Sequence, residues 1–243
     1  MAPFTLVRGS ASLLFLCDHA SGALPPAYGD LGLETALFAT HIARDIGAAA
    51  VTSAWAAHFE ASAVLAAWSR LLIDLNRGED DPTLVMKLSD GSTIPGNRNV
   101  DAAGVERRIA QFHAPYHAAI AGEIARLGRP ALVSVHSFTP VWKGAARPWE
   151  IGILWDRDDR LAAPLMRVLR AAGFTVGDNE PYSGALENDT LNRHGTRNGL
   201  PHVLIEIRQD LIGDDGAANA FAARLAPLLA TALEEMQENI HGR

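Results

Sequence analysis

Several short apolar runs end abruptly in acids, histidines or arginines, and this pattern limits what the chain can fold into more than any other feature. Leu13-Leu14-Phe15-Leu16-Cys17 runs into Asp18-His19, Ala131 to Phe138 carries His136-Ser137 at its far end, and Val203-Leu204-Ile205 leads into Glu206-Ile207-Arg208. Runs of this length, apolar at consecutive positions, suit strands buried on both faces. Between them lie Ala- and Leu-rich stretches with helical spacing, over about 34–59, 105–127, 159–171 and 217–238. Ala63 to Ala67, Leu71 to Leu75, Ile151 to Trp155 and Phe174 to Val176 read as further strands, and 76–99 and 177–199 as long polar loops. Strands alternating with helices predict a mostly parallel, mixed sheet in a three-layer α/β/α sandwich. No linker, repeat or low-complexity tract divides residues 1–243, so a single domain is expected.

In such sheets ligands bind beyond the carboxyl ends of the strands. Asp18-His19, Asp74-Asn76-Arg77, His136 and Glu206-Arg208 come from four separate places and are expected to converge on one rim. Histidines, acids and arginines together point to metal-assisted hydrolysis. Zinc takes imidazole and carboxylate ligands, and a catalytic site leaves a position for water. A carboxylate outside the ligand set can move protons, and an Arg can stabilise an oxyanion. Each strand-end residue also has a structural reading, and for Glu206 that is an ion pair with a nearby Arg.

Composition narrows the partners. The formal net charge is −7, with no dense run of Lys or Arg, so a nucleic-acid partner is not expected. An anionic substrate must then be held by a few specific arginines. Residues 1–10 lack a signal-peptide layout, and no apolar run in the sequence approaches the roughly 20 residues that span a bilayer, so a cytoplasmic protein without a membrane partner is expected. The one cysteine, Cys17, sits within an apolar run and reads as a small core residue, not a nucleophile. His113 and His117 have i, i+4 spacing with Pro115 between them and read as surface histidines, and Arg107-Arg108 as a solvated helix face.

The motifs together resemble one family. Cys17-Asp18-His19-Ala20-Ser21, Ser69-Arg70 with Asp74-Leu75-Asn76-Arg77, Ser89-Asp90-Gly91, Ile94-Pro95-Gly96-Asn97, Pro115-Tyr116-His117 and Val135-His136-Ser137-Phe138-Thr139-Pro140 are similar to N-formylglutamate amidohydrolases of the shorter bacterial branch. So are Arg147-Pro148-Trp149, Gly177 through Tyr182, and Gly199 through Leu211. The resemblance implies a phosphorylase/hydrolase-like, zinc carboxypeptidase-like fold and hydrolysis of the amide of a small N-acyl amino acid by metal-activated water, with Zn2+ as the expected ion. It implies that His19 and His136 are metal ligands, Glu206 activates the water, Arg70 steadies the scissile carbonyl, and Asn76 with Arg77 holds the substrate carboxylate. Arg147, Arg193, Arg197 and Arg208 are candidates for a second carboxylate. Distant relatives use His-x-x-Glu, and Gly22 stands where that Glu would be, so the remaining ligand must come from elsewhere: Asp18, or His41 and Asp45, at i, i+4 spacing on the first expected helix. Two alternatives stay open: hydrolysis of another N-acyl amino acid or peptide-like carboxylate, and a non-catalytic carboxylate-binding protein that has lost its metal.

Overall fold

A computed structural model describes residues 2–241. Its strands are β1 (Phe4–Val7), β2 (Leu13–Cys17), β3 (Ser62–Ala66), β4 (Leu88–Ser89), β5 (Ser92–Thr93), β6 (Ala131–Phe138), β7 (Val141–Trp142), β8 (Ala145–Ala146), β9 (Ile151–Leu154), β10 (Val176–Asp178) and β11 (His202–Arg208). Its α-helices are α1 (Ala48–His58), α2 (Ala102–Arg108), α3 (Ala114–Leu127), α4 (Ala162–Ala171), α5 (Thr190–His194) and α6 (Asp215–His241). Seven strands form the main sheet in the order β1-β3-β2-β6-β11-β9-β10, and β4-β5 and β7-β8 are small hairpins. The pairs β3/β2, β2/β6, β6/β11 and β9/β10 are parallel, and β1/β3 and β11/β9 are antiparallel. The fold is thus an α/β sandwich on a mixed, mostly parallel sheet.

Alternation along β2 explains the layers. Leu13, Phe15 and Cys17 enter one core with Trp55 of α1, Leu165 of α4 and Phe221 and Leu225 of α6. Leu14 and Leu16 enter the other, with Tyr116 and Ile120 of α3 and Leu191 of α5. Because both faces are covered, strand residues are apolar at successive positions instead of every second one.

Some boundaries differ from expectation. The segment 34–59 is not one helix: Thr35–Ala39 is a 3-10 turn, and α1 starts only at Ala48. Gly47 separates them at φ +78, where a side chain would be strained and a Cβ would stand 2.1 Å from the Ile212 carbonyl oxygen. Leu71 to Leu75 is turn, not strand; its apolar side chains are buried beneath the loop that follows. The edge strand β1, alternately half-buried and exposed, was not expected. The helix over 105–127 runs through Pro115 but contains a π-helical turn at Ile109–His113. The loop 177–199 contains α5, and Arg108 is buried, donating to the Leu72 carbonyl and Asn97 Oδ1. Contrary to the sequence reading, α6 is long and apolar enough to cross a membrane; nevertheless Phe221, Ala222, Leu225 and Leu229 pack it into the core.

Candidate functional site

Sheet register sets the centre of the site. His136 on β6 pairs with Glu206 on β11, and Leu16 pairs with Ser134, so His19, just beyond β2, arrives beside His136. The two imidazoles meet edge to face with centroids 4.8 Å apart. Asp45 joins them from the turn before α1. Its backbone N–H donates to the His19 carbonyl, and its Oδ2 lies 3.4 Å from His19 Nδ1 and 2.9 Å from His136 Nδ1. Ser137 N–H donates to the same oxygen, and Ser137 is held in turn by Gln209.

The other nitrogen of each ring is also tied to a carboxylate. His19 Nε2 is 2.7 Å from Asp74 Oδ1, and His136 Nε2 is 3.3 Å from Asp18 Oδ2. Burial opposes ionisation of Asp74, but the charges of Arg70 and His19 pull its pKa well below the usual range. Asp18 is likewise lowered, its burial outweighed by bonding to His136 and Tyr116. Both carboxylates therefore accept and the Nε2 atoms donate, which leaves the two Nδ1 atoms facing Asp45. Carboxylates behind ligating histidines orient the rings of metal sites in this way. The positive charge that holds Asp45 Oδ2 and the two Nδ1 atoms together comes from a proton on the rings, and a metal ion can take its place. Burial works against a charge on His136, yet its bonds to Asp18 and Asp45 raise its pKa well above the ordinary value.

His19, Asp45 and His136 offer one ligand atom each within 4.8 Å of one another, all from buried residues, and can hold a metal ion. Of the three candidates for the remaining ligand, Asp45 joins the set. His41 instead bonds Asp90 at the surface, and Asp18 stands behind His136. Asp45 and His41 are not on a helix face, as their spacing had predicted, since both precede α1. At Gly22 a Cβ would stand 2.5 Å from the Phe38 carbonyl oxygen, which leaves no room for a side chain there.

A cavity of about 380 Å3 opens over this centre, lined by the three residues with Arg70, Asn76, Arg77, Tyr182, Asp189 and Glu206, among others. Glu206 is buried, and among the described residues its Oε2 has no hydrogen-bond partner and no Arg forms an ion pair with it; burial pushes its pKa up to about 7. Arg70 donates to Asp74 Oδ2 at 2.8 Å and lies 3.5 Å from Asp45 Oδ1. Asn76 Oδ1 accepts from Thr190 N–H.

The remaining arginines are not brought into this cavity. Arg208, a candidate for carboxylate binding, pairs with Asp210 and donates to the carbonyls of residues 147–149, outside the cavity lining. Arg193 pairs with Glu79 and Arg197 with Asn188. Arg147 stacks against Phe138, Trp142 and Tyr182; it reaches the cavity only through Tyr182, which lines it. Sequence reasoning gave no role to Tyr182 or Asp189 in the second long loop; Tyr182 closes the motif that begins at Gly177, whereas for Asp189 only loop length hinted at a role. It also misread His113 and His117, which are buried and contact each other and His194. Cys17 is fully buried with its pKa raised by burial, as a core thiol should be.

The pattern of the N-formylglutamate amidohydrolase family matches residues 11–213. An N-formylglutamate deformylase of Pseudomonas aeruginosa is 30% identical over 96% of this chain and 94% of its own. The crystal structure of an Agrobacterium tumefaciens gene product is similar at 35% identity and a TM-score of 0.93, covering 98% of this chain and 97% of that one. An N-formylglutamate amidohydrolase of Ralstonia eutropha JMP134 shares the fold at 23% identity and a TM-score of 0.64, with both chains fully covered.

Proposed function

The chain belongs to the N-formylglutamate amidohydrolase family and is an amidohydrolase, and from that premise we propose that it hydrolyses N-formyl-L-glutamate to formate and glutamate at the cavity over His19, Asp45 and His136. The observation that carries this reading is Glu206: a buried carboxylate with an unpartnered oxygen, facing a cavity beside a set of metal-ligating side chains. An acid is rarely kept in such a position without a task, because leaving it unpaired costs free energy.

Neutral imidazole and carboxylate donors suit Zn2+, and His19, Asp45 and His136 would hold it. When bound, a divalent ion in such a site supplies Lewis acidity, polarising a carbonyl and lowering the pKa of water to about 7. Glu206 takes a proton from the water that attacks the formyl carbon. With a pKa of about 7 it can also hold that proton and pass it to the departing amine nitrogen. The C–N bond breaks as the nitrogen is protonated, and formate and the free amino acid leave.

Arg70 steadies the oxyanion of the tetrahedral state. Its guanidinium is oriented beforehand by Asp74 and Asp45, so little reorganisation accompanies the reaction. Arg77 and Asn76 clamp the α-carboxylate, the fork giving two parallel bonds and the amide adding direction. Arg147, stacked behind Tyr182, is the candidate for the side-chain carboxylate.

The test is release of primary amine from a panel of N-formyl and N-acetyl amino acids, with chelator or added zinc. Chelator-sensitive release, fastest with N-formylglutamate, supports the reading. Faster release from another member replaces the substrate but keeps the chemistry. No release from any of them, by a folded and zinc-supplemented protein, overturns it.

A further inference from the structure

Behind the carboxylate clamp lies a chain of three imidazoles, His113, His117 and His194, each no more than 5% exposed. His113 closes the π-helical turn, His117 follows one turn later on α3, and His194 comes from the end of α5. His113 Nε2 is 3.0 Å from the Arg77 carbonyl oxygen, and His117 Nε2 is 3.1 Å from the Leu75 carbonyl oxygen. His194 Nε2 is 3.0 Å from His117 Nδ1, and the His117 and His194 rings are stacked.

The acceptors fix the protons. A carbonyl oxygen can only accept, so His113 and His117 each carry a proton on Nε2. In a neutral His117 ring Nδ1 is then an acceptor, and His194 must supply its proton from Nε2. The 3.2 Å approach of His113 Nε2 to His117 Nε2 therefore sets two donors side by side, each directed at its own carbonyl. His113 Nδ1 is buried without a hydrogen-bond partner, with Glu79 Oε1 3.7 Å away, consistent with an unprotonated nitrogen. Burial favours the neutral form of all three rings, holding His117 at about 2 and His194 at about 4. The three do not form a metal site: among the described residues, the ligand-atom set that closes within 4.8 Å is the one over His19.

These bonds have a direct consequence for the substrate pocket. Residues 75–77 belong to no helix or strand, so their carbonyls need partners from outside the ladder. The two carbonyls held by imidazoles flank Asn76 and include that of Arg77, the residues whose side chains line the cavity. Thr190, at the start of the helix that carries His194, donates to both Asn76 Oδ1 and the Leu75 carbonyl. We propose that His113, His117 and His194 are positioning residues for the Asn76–Arg77 clamp, acting as a neutral chain of Nε2–H donors that fixes the backbone on which the substrate carboxylate is bound. This rests on the reading of Asn76 and Arg77 as the carboxylate clamp.

Two measurements on the full chain test it. Long-range proton–nitrogen correlation spectra of the imidazoles at pH 6.5 should report the neutral Nε2–H form for all three; a charged ring or an Nδ1–H form at His113 or His117 overturns the assignment. His113→Leu, which deletes the donor, should raise KM for N-formylglutamate roughly tenfold with kcat within about twofold. His113→Gln, whose amide can donate from nearly the same point, should restore KM. Arg77→Ala separates the two levels of the argument. If it raises KM while His113→Leu does not, the histidine role falls and the clamp stands. If Arg77→Ala leaves KM unchanged, the clamp falls and this inference with it.

Discussion

Glu206 and His136 are register partners on adjacent parallel strands, so the proposed base and a proposed metal ligand stand side by side without any loop having to bring them together. Strand pairing is a stiff way to set such a distance, and functional groups placed on rigid elements hold their geometry best. On the other side of β11, Gly152 is the partner of Glu206 and adds no side chain against it.

Replacing Glu206 by Gln keeps the volume and removes the base. We expect kcat to fall by roughly 10^2- to 10^4-fold, the range that proton transfer contributes. In the chelated protein the variant should melt higher than wild type at pH 8. The sign follows from burial, which raises the folded carboxyl pKa to about 7, above its unfolded value, so that ionisation at pH 8 opposes folding. Near-normal turnover would remove Glu206 as the base.

The metal assignment makes a separate demand on Asp45 and Asp74. Asp45→Ala deletes a ligand atom and should abolish zinc stoichiometry after dialysis, measured by atomic emission. Asp74→Asn leaves the ligand set intact but weakens the acceptor behind His19. A loss of roughly 10- to 100-fold in zinc affinity is expected, as for other groups that orient ligating histidines. Equal zinc retention in wild type and Asp45→Ala would show that the ion sits elsewhere.

How much of this was legible in the residues themselves depended on what kind of contact was involved. β2, β6 and β11 announced themselves, because strands buried on both faces must be apolar throughout and the polar residues ending them had to lie at the rim. Leu71 to Leu75 looked the same but is turn, since a short buried run has no periodicity that distinguishes the two. Asp45 was within reach as a ligand for the wrong reason: helical spacing suggested it, whereas a backbone hydrogen bond to His19 delivers it. The three buried histidines were not legible at all. Their partners are carbonyls and one another, brought together from segments far apart, and i, i+4 spacing is equally good for a solvated face.

The buried imidazoles should make the fold sensitive to acid. Burial lowers His117 to about 2 and His194 to about 4 in the folded state, whereas both return to about 6.5 when unfolded. Nearby charge from Arg193 acts in the same direction, and Asp18 against it. Below pH 6.5 the unfolded chain therefore binds more protons than the folded one. Stability from these groups is full above pH 6.5 and lost as pH falls, at about 1.4 kcal/mol per pH unit for each ring. His194 stops contributing to the loss near pH 4, and His117 continues below it. Protonation of Glu206 below about pH 7 and of Asp189 below about pH 6 adds stability over the same range, so urea midpoints between pH 8 and 4.5 are compared in the Glu206→Gln/Asp189→Asn double variant, where a flat profile through pH 6 would contradict the neutral imidazole chain.

Asp189 predicts a pH dependence of binding as well as of stability. It lines the same cavity as Arg77, and burial raises its pKa to about 6, with Asp18 pushing the same way and His136 and Arg77 opposing. Its Oδ1 accepts from Asn192 N–H as the cap of α5. Once ionised, the carboxylate repels a carboxylate substrate held at the clamp, whereas the protonated acid can donate to it. KM should therefore rise between pH 5 and 8, by roughly tenfold for each pH unit by which bound substrate shifts the Asp189 pKa. Asp189→Asn keeps a capping oxygen for α5, so the fold should be retained. The variant should have a lower KM than wild type at pH 8 and a flatter profile. If its KM profile instead tracks that of wild type across the whole range, Asp189 does not face the bound carboxylate, and the pH dependence must be sought elsewhere in the cavity.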